Sequence, residues 1–378
     1  MIKVLVVDDS AVMRSFLAGV VRAQNDMELV AVAADPVLAI ERIRLHSPDV
    51  ITLDVEMPRM NGLDFLRKLM SVRPLPVLMI SSLTRDGADT TLRALELGAV
   101  DFFAKPADLS AFEASADEIA DKIRAAAMAK VVRHSARVMP GSAMRPSSVP
   151  SGPSLVSRSV PDSRAVMVAG FTTSGQDGIT KAPVLTANFR THPLIAIGAS
   201  TGGVEALREI LQALPAAIPP ILIAQHMPPG FTDTFARRLD AICQIHVKQA
   251  EDGETVYSGT AYIAPGGRHL TVARKASGYL LRVTDEAPVN RHRPSVDPLF
   301  RTVAKAAGAR AIGIMLTGMG ADGADAMLEL RNTGAHTIAQ DEASCIVFGM
   351  PKQAIAAGAV REILPLKEMA ARLIALSG

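Results

Sequence analysis

Tryptophan is absent from the chain, and aromatic residues together make up only 4% of it. Cysteine is nearly absent as well, because only Cys243 and Cys345 occur among the 378 residues. Two cysteines are too few for a framework of disulfide bonds or for a zinc site built from several thiolates. We therefore expect both side chains to be free, buried thiols.

Long hydrophobic runs are also missing, since every apolar stretch falls well short of the roughly 18 residues that a membrane-spanning helix requires. The first segment, Met1 to Ser10, becomes acidic at Asp8, where a secretory signal peptide would stay apolar. We therefore expect a cytoplasmic protein without membrane insertion.

The chain is instead rich in small aliphatic side chains, and 49% of its residues are hydrophobic in spite of the few aromatic ones. Such residues suit parallel sheets covered by helices on both faces, because the strands of these sheets read as continuous apolar runs. At roughly 100 to 200 residues per domain, the length predicts two domains or one unusually large one.

The net charge of +2 hides an uneven distribution of charged residues. Residues 1–129 carry 14 basic and 19 acidic side chains, residues 130–193 carry 8 and 2, and residues 194–378 carry 18 and 17. An acidic part is therefore followed by a basic part and then by a nearly neutral one, which predicts three functional segments.

The middle segment has the composition of a linker. It holds seven of the 24 prolines together with many serines and glycines, and it has no hydrophobic periodicity. Such a segment cannot bury enough apolar surface to offset its ordering entropy. We predict an N-terminal domain at 1–125, a flexible basic linker at 126–192 and a C-terminal domain at 193–378. The linker charge would contact the acidic N-terminal domain or an acidic partner, unless it is simply solvated.

The N-terminal domain alternates apolar runs with helical stretches five times, which predicts a parallel, doubly wound α/β sheet. Ligands of such sheets bind beyond the carboxyl ends of the strands. There Asp8 and Asp9 follow the first predicted strand, Asp54 ends the third, and Lys105 follows the fifth. Each acid alone would be read as a solvated loop residue. Together they would repel one another unless a cation offset their charge, and hard oxygen ligands favour Mg²⁺.

A Mg²⁺ ion and an ammonium group beside Asp54 are also what phosphoryl transfer to that carboxylate would need. With Ser81 after the fourth predicted strand, residues 1 to about 125 resemble the receiver domain of response regulators. The resemblance implies a flavodoxin-like (βα)5 fold and a set of site residues. Their implied roles are Asp54 as phosphoacceptor, Asp8, Asp9, Asp54 and the backbone carbonyl of Glu56 as Mg²⁺ ligands, Ser81 as the hydroxyl that follows the phosphoryl group, Lys105 as the counter-charge and Phe102 as the aromatic switch.

The C-terminal domain resumes the β-α alternation with a glycine-rich turn, Gly198 to Gly203, between a predicted strand and a predicted helix. Ser200 fits the G-x-S-x-G pattern, in which a tight turn exposes the serine hydroxyl above the sheet. Glycine-rich turns of this kind also bind phosphate or only close a bend. A role for Ser200 as nucleophile is therefore one of three interpretations of this motif.

Two further strand ends carry residues that would complete a serine-hydrolase site. His226 follows the next predicted strand, and Asp322 lies in the turn Thr317 to Gly323 after a later one. His226 is either a structural residue or the base that activates Ser200. Asp322 is either the carboxylate that orients this base or a helix N-cap.

The chain order of these residues distinguishes two classes of hydrolase. An α/β-hydrolase has the order Ser, acid, His, which would here require His292 or His336, and neither follows a strand with glycine support. The order Ser200, His226, Asp322 resembles that of the chemotaxis protein-glutamate methylesterase family. The matching stretches are Gly198 to Gly203, Gln225 to Pro229, Ala250 to Gly253, Ala264 to His269, Arg293 to Phe300, Leu316 to Gly323 and Gln340 to Met350.

This resemblance covers the C-terminal domain, which it implies is a doubly wound, mainly parallel α/β fold, and a preceding receiver domain is that family's architecture. It implies hydrolysis of glutamate γ-methyl esters on chemoreceptors, in many members also deamidation of receptor glutamines, with Mg²⁺ in the receiver domain and no cofactor for the ester chemistry. The backbone N–H groups of Met319 and Thr201 would stabilise the oxyanion. A chemotaxis histidine kinase would phosphorylate Asp54 and thereby activate the enzyme.

Two other functional classes make different demands on the sequence. A transcription factor would need a basic, helical output domain, whereas residues 194–378 are nearly neutral and β-α in pattern, so we expect no nucleic-acid partner. The alternative to a hydrolase is a catalytically silent module that docks on receptors, or a response regulator with another non-hydrolytic output.

Overall fold

The computed structural model describes residues 1–57, 61–82, 84–106, 114–131, 193–276 and 278–377, with only the backbone of Arg85 and Asp86. Most of the predicted linker, residues 132–192, lies outside the described residues. Two separate parallel sheets, one of five strands and one of seven, organise the described residues. The prediction of two α/β sheets is confirmed.

The first sheet has the strand order β2-β1-β3-β4-β5, and every neighbouring pair is parallel. This order is that of flavodoxin-like folds, as predicted. Its strands are β1 (Ile2–Val7), β2 (Met27–Ala33), β3 (Val50–Asp54), β4 (Val77–Ser82) and β5 (Asp101–Lys105). Its helices are α1 (Ala11–Arg22), α2 (Pro36–His46), α3 (Gly62–Val72), α4 (Arg85–Glu96) and α5 (Ala116–Met128).

Local sequence determines where these helices begin. The side chain of Ser10 accepts a hydrogen bond from the N–H of Met13, and Asn61 does the same for Asp64 at the start of α3. These caps satisfy N–H groups that have no partner within the helix. The helices thus start directly after the loops that leave the carboxyl ends of the strands.

The second sheet has the order β14-β13-β12-β6-β7-β9-β8, and all its neighbouring pairs are parallel. Its strands are β6 (Leu194–Ala199), β7 (Ile221–Gln225), β8 (His246–Gln249), β9 (Thr260–Ile263), β12 (Ala311–Met315), β13 (His336–Gln340) and β14 (Glu362–Leu364). Its helices are α6 (Gly203–Gln212), α7 (Phe231–Ile242), α8 (Val296–Ala307), α9 (Ala324–Asn332), α10 (Met350–Ala356) and α11 (Leu366–Ser377).

An antiparallel pair, β10 (His269–Lys275) and β11 (Gly278–Thr284), stands apart from the large sheet, and α8 packs against it. Strand β6 lies between β12 and β7, so the chain leaves it towards one side and returns later on the other. A reversal of this kind opens a crevice beyond the carboxyl ends of the strands. The fold therefore provides a site after β6, β7 and β12.

Apolar strands form the core of each sheet. Val4 to Val7 of β1 and Leu194 to Ile197 of β6 have no exposed surface, as expected for strands buried on both faces. Cys243 and Cys345 are free and buried, which confirms the expectation for both thiols. Within the described ranges, no helix is both long enough and apolar enough to cross a membrane.

Candidate active site and phosphoacceptor site

Ser200 directly follows β6 at the start of a tight turn. Gly202 caps α6 in a left-handed conformation (φ 79°), and a Cβ atom there would lie 2.6 Å from Cβ of Ile346. Only glycine combines this backbone conformation with such a close contact. The amide of Gln225 donates to the carbonyl oxygen of Ser200 (3.0 Å), and the N–H of Ser200 donates to the carbonyl of Thr317 (3.0 Å). The turn is therefore anchored on both sides.

His226 bridges Ser200 and Asp322. Its Nδ1 lies 3.1 Å from Oγ of Ser200, and its Nε2 lies 2.8 Å from Oδ2 of Asp322. An ionised carboxylate can only accept, so Nε2 carries the proton and Nδ1 presents its lone pair to the serine hydroxyl. The imidazole is thus oriented as a base for Ser200, and the three residues come from the ends of three adjacent strands.

Asp322 is held by more donors than His226 alone. The side chains of Asn290 and Ser295 donate to its Oδ1 (both 2.7 Å), and the N–H of Val296 donates to its Oδ2 (2.7 Å). Burial alone would raise the pKa of Asp322, but the hydrogen bonds from His226, Asn290 and Ser295 hold this pKa below its usual range. The residue is therefore an anion that faces the imidazole.

The N-cap interpretation of Asp322 does not fit the structure. Gly323 caps α9 in a left-handed conformation, without a hydrogen bond from any capping side chain. The carboxylate of Asp322 points to His226 instead of the helix N-terminus.

Donors for a developing oxyanion lie in the turns beside Ser200. Among the described residues, the N–H groups of Thr201 and Met319 donate to no protein acceptor. A Cβ atom at Gly318 would lie 2.7 Å from Cβ of Ser200, so glycine allows the turn that carries Met319 to approach the serine closely. The geometry is compatible with the role that the resemblance implies for both N–H groups.

Sequence reasoning missed two side chains of this site, His292 and Asn290. The ring of His292 stacks on the ring of His226, with centroids 3.7 Å apart and an interplanar angle of 14°. In the sequence, His292 was a candidate only as the histidine of an α/β-hydrolase order, and it was rejected because it follows no strand with glycine support. Asn290 was missed for the same reason; the only signal was the preference of asparagine for left-handed turn positions.

The acids of the first sheet converge as predicted. Carboxylate oxygens of Asp8, Asp9 and Asp54 lie within 4.8 Å of one another. Nζ of Lys105 lies 2.8 Å from Oδ2 of Asp54 and 3.2 Å from Oδ2 of Asp8. Apart from this ion pair, the buried Asp8 oxygen has no hydrogen-bond partner among the described residues. Burial, supported by repulsion from Asp8, raises the pKa of Asp54 to about 6. Burial likewise raises the pKa of Asp8. A divalent cation would relieve both effects.

The other residues of the predicted phosphoacceptor site surround this cluster. Ser81 is fully buried, and its hydroxyl bonds to the hydroxyl of Thr91 (2.6 Å) rather than to Asp54. The side chain of Glu56 accepts from Ser82 (2.8 Å), while its N–H donates to Oδ1 of Asp54 (3.3 Å). The Mg²⁺ ligation by the Glu56 carbonyl remains a prediction.

The predicted aromatic switch, Phe102, contacts the other half of the protein. Its ring packs on Phe231 at the start of α7, with centroids 4.5 Å apart. The neighbouring carboxylate of Asp101 accepts a hydrogen bond from the hydroxyl of Thr201 (2.6 Å). Because Thr201 follows Ser200 directly, β5 reaches the edge of the candidate active site.

A second set of contacts joins α4 to α7. Arg238 of α7 donates to Oδ1 of Asp89 (2.6 Å) and also to Glu96. Leu92 of α4 and Phe235 of α7 belong to one apolar cluster. By their contacts, the described residues on both sides belong to one compact unit.

Comparison with known proteins assigns both halves. The family model described as CheB methylesterase matches residues 195–373, and the model described as response regulator receiver domain matches residues 4–117. Protein-glutamate methylesterase/protein-glutamine glutaminase 3 of Burkholderia lata is 52% identical over 377 residues, which cover 99% of this chain and 95% of that protein. The chain belongs to the protein-glutamate methylesterase/protein-glutamine glutaminase family.

Other members of this methylesterase/glutaminase family match over the same length. The relative of that name in Salmonella choleraesuis is 49% identical over 377 residues, 99% of this chain and 96% of the relative. Among solved structures, the chain is similar to the CheB methylesterase catalytic domain of Thermotoga maritima, at 39% identity and a TM-score of 0.48. That likeness covers 49% of this chain and 98% of the solved one. The family models and the full-length relatives confirm the family resemblance inferred from the motifs.

Proposed function

We propose that this protein hydrolyses glutamate γ-methyl esters on chemoreceptors, and deamidates specific receptor glutamines, through Ser200, His226 and Asp322. The observation that carries the proposal is the position of His226, 3.1 Å from the hydroxyl of Ser200 and 2.8 Å from the carboxylate of Asp322. A serine is a weak nucleophile until an oriented base takes its proton. The relatives' names supply the substrate chemistry.

In the first step, Oγ of Ser200 attacks the ester carbonyl carbon while its proton moves to Nδ1 of His226. The imidazolium that forms is stabilised through Nε2–H by Asp322, which stays ionised. The negative charge that develops on the carbonyl oxygen is stabilised by the N–H groups of Met319 and Thr201. Removing one such donor typically costs about 3 kcal/mol of transition-state stabilisation.

In the second step the tetrahedral intermediate collapses. The imidazolium of His226 donates its proton to the leaving group, which departs as methanol from an ester or as ammonia from a glutamine amide. A water molecule, deprotonated by the same imidazole, then cleaves the acyl-serine. The product is a glutamate with a free carboxylate, and the receptor gains one negative charge per cleaved group.

We further propose that phosphorylation of Asp54 by a chemotaxis histidine kinase activates this reaction. The support comes from β5, whose Lys105 pairs with Asp54 while its Asp101 and Phe102 contact Thr201 and Phe231. With these contacts in place, the N-terminal domain covers the region next to Ser200. A change at Asp54 that shifts β5 would loosen them and give a receptor helix access.

The acidic cluster fits the Mg²⁺ ion that receiver domains use. Asp8, Asp9 and Asp54 offer hard oxygen ligands, and within the described ranges the buried Oδ2 of Asp8 has no partner besides the ammonium group of Lys105. The ion would neutralise charge on a phosphoryl group at Asp54. Lys105 would contribute a second positive charge to the same oxygens, and the backbone carbonyl of Glu56 would complete the ligand set.

The partners in this proposal are the chemotaxis kinase as phosphodonor and the cytoplasmic helices of chemoreceptors as substrate. The reaction would therefore take place in the cytoplasm.

Methanol release from methylated receptor membranes tests the proposal, with and without a small-molecule phosphodonor. We expect the wild type to release methanol faster with the phosphodonor, Ser200→Ala to release none, and Asp54→Asn to lose the stimulation. Appreciable turnover by Ser200→Ala would contradict the catalytic assignment. No release by the wild type under either condition would favour a silent docking module.

A further inference from the structure

A single tight turn supports both partners of the candidate nucleophile. Val289 and His292 exchange two backbone hydrogen bonds (3.1 and 2.9 Å), and the two residues between them have positive φ angles, 53° at Asn290 and 66° at Arg291. Two left-handed central residues are what a type I′ turn requires, and Asn-Gly is the usual pair. An arginine in the second position is strained and needs support from its surroundings.

That support comes from the active site. Nδ2 of Asn290 donates to Oδ1 of Asp322 (2.7 Å) and to Oδ2 of Asp297 (3.1 Å), so it bridges two carboxylates. Two residues later, the ring of His292 lies nearly flat on the ring of His226. The turn therefore fixes the carboxylate through an amide and the imidazole through a stacked ring.

His292 stays neutral in this position. Burial, followed by the charge of His226, lowers the pKa of His292 to about 3; Lys122 and Arg291 act in the same direction and Asp322 opposes them. Among the described residues, these four side chains have the largest electrostatic effects on His292. Two stacked rings cannot both carry a proton without a large electrostatic cost, and the carboxylate of Asp322 bonds to the ring of His226.

We propose that His292 is a positioning residue of the hydrolysis reaction. Its neutral ring holds the imidazole of His226 in the plane that joins Ser200 to Asp322 and leaves the transferred proton on His226. The inference rests on the proposed function. His292 is not proposed to contact the substrate, because its role follows only from the stacking of its ring on that of His226.

The flat ring, rather than its nitrogen atoms, is what this role requires. His292→Phe keeps a planar ring that cannot titrate, whereas His292→Ala removes the stack. Small displacements of a catalytic group reduce rate by about two orders of magnitude per ångström. We therefore expect kcat for methanol release to fall about ten- to a hundred-fold in the Ala variant, with KM little changed, and to be largely restored in the Phe variant.

The pH dependence of kcat separates positioning from proton transfer. We expect the Phe variant to keep the shape of the wild-type profile, because His292 carries no proton in the working range. The proposal would be overturned by a shifted limb of the pH profile of kcat in the Phe variant. It would also be overturned by equal losses of kcat in the folded Ala and Phe variants, or by a change confined to KM. Wild-type kcat in the Ala variant would overturn it as well.

Two controls keep these outcomes interpretable. His336 is the first residue of β13, so it lies at the amino end of the strand, whereas the site lies beyond the carboxyl ends of the strands. His336→Phe should therefore leave kcat unchanged. Ser200→Ala tests the proposed function itself, because turnover in that variant would refute Ser200 as the nucleophile. The role of His292 is tested by a different readout, the comparison of the His292 variants with the wild type.

A measurement on the wild type needs no folded variant. In histidine-labelled full-length protein, the ring nitrogen shifts of His292 should remain those of a neutral imidazole throughout the range in which exposed histidines titrate. Titration of His292 with the exposed histidines would overturn the proposal.

Discussion

The ion pairs between α4 and α7 offer a quantitative test of the proposal that the N-terminal domain restrains the active site. Arg238 donates to Asp89 and Glu96, and the three side chains are 26%, 39% and 44% exposed. Because both acids are more than one third exposed, solvent screening limits each pair to about 0.5 kcal/mol. Removing Arg238 should therefore weaken the docked arrangement by about 1 kcal/mol.

That loss has a calculable effect on activity. A change of about 1 kcal/mol alters the ratio of two states about fivefold. If the docked state is inactive and dominant, Arg238→Ala should release methanol about five times faster than the wild type without a phosphodonor. The maximal rate with phosphodonor should change little, because Arg238 lies outside the candidate active site. The stimulation ratio should therefore fall.

The neighbouring arginine provides a matched control. Arg237 pairs with Asp233 of its own helix, so Arg237→Ala removes the same charge without touching α4. Its basal rate should equal that of the wild type. Raising the ionic strength should increase the basal rate of the wild type more than that of Arg238→Ala, because salt screens exposed pairs. An unchanged basal rate in Arg238→Ala, with phosphodonor stimulation intact, would refute the reasoning.

Two further predictions concern the metal site and the buried histidine. Chelation of Mg²⁺ by EDTA should abolish the stimulation by a phosphodonor. If added Mg²⁺ restores the stimulation and added Na⁺ does not, the loss is due to the divalent ion. Stimulation that survives chelation would contradict the assignment of the acidic cluster as a Mg²⁺ site. The pKa of His292 is lowered to about 3 in the folded protein. On lowering the pH from 8 to 5, the unfolded chain therefore binds a proton at His292 that the folded chain does not bind. The free energy of unfolding should consequently fall by about 2 kcal/mol more in the wild type than in His292→Phe. Urea unfolding followed by tyrosine fluorescence checks this, since all three tyrosines, Tyr257, Tyr262 and Tyr279, lie in the C-terminal domain; equal acid sensitivity of both proteins would contradict it.

The sequence was sufficient to predict residues whose position follows from strand direction. Ser200, His226 and Asp322 each follow a parallel strand, and such strands end at one edge of a sheet. The same argument brought Asp54 and Lys105 together. No knowledge of loop conformation was needed for these predictions, and the strand-end argument held for both sheets.

Residues held by loops or by the other half of the chain could not be predicted in this way. His292 reaches His226 only because Asn290 and Arg291 both adopt left-handed conformations, and Arg291 gives no sign of this in sequence. The partner of Thr201 is Asp101, a hundred residues earlier, so the hydrogen bond between them depends on how two domains pack. Periodicity and motifs carry no information on that packing.

Strand β5 explains how a local change at Asp54 could reach the active site. It spans only Asp101–Lys105, a distance of about 13 Å at roughly 3.3 Å per residue. Lys105 at one end neutralises Asp54 and Asp8, and Asp101 at the other accepts from Thr201. A phosphoryl group on Asp54 adds charge beside Lys105 and would draw this side chain towards it. Because a hydrogen-bonded strand moves as a unit more readily than it stretches, the displacement would be felt at Asp101 and Phe102, two of the residues that contact the C-terminal domain.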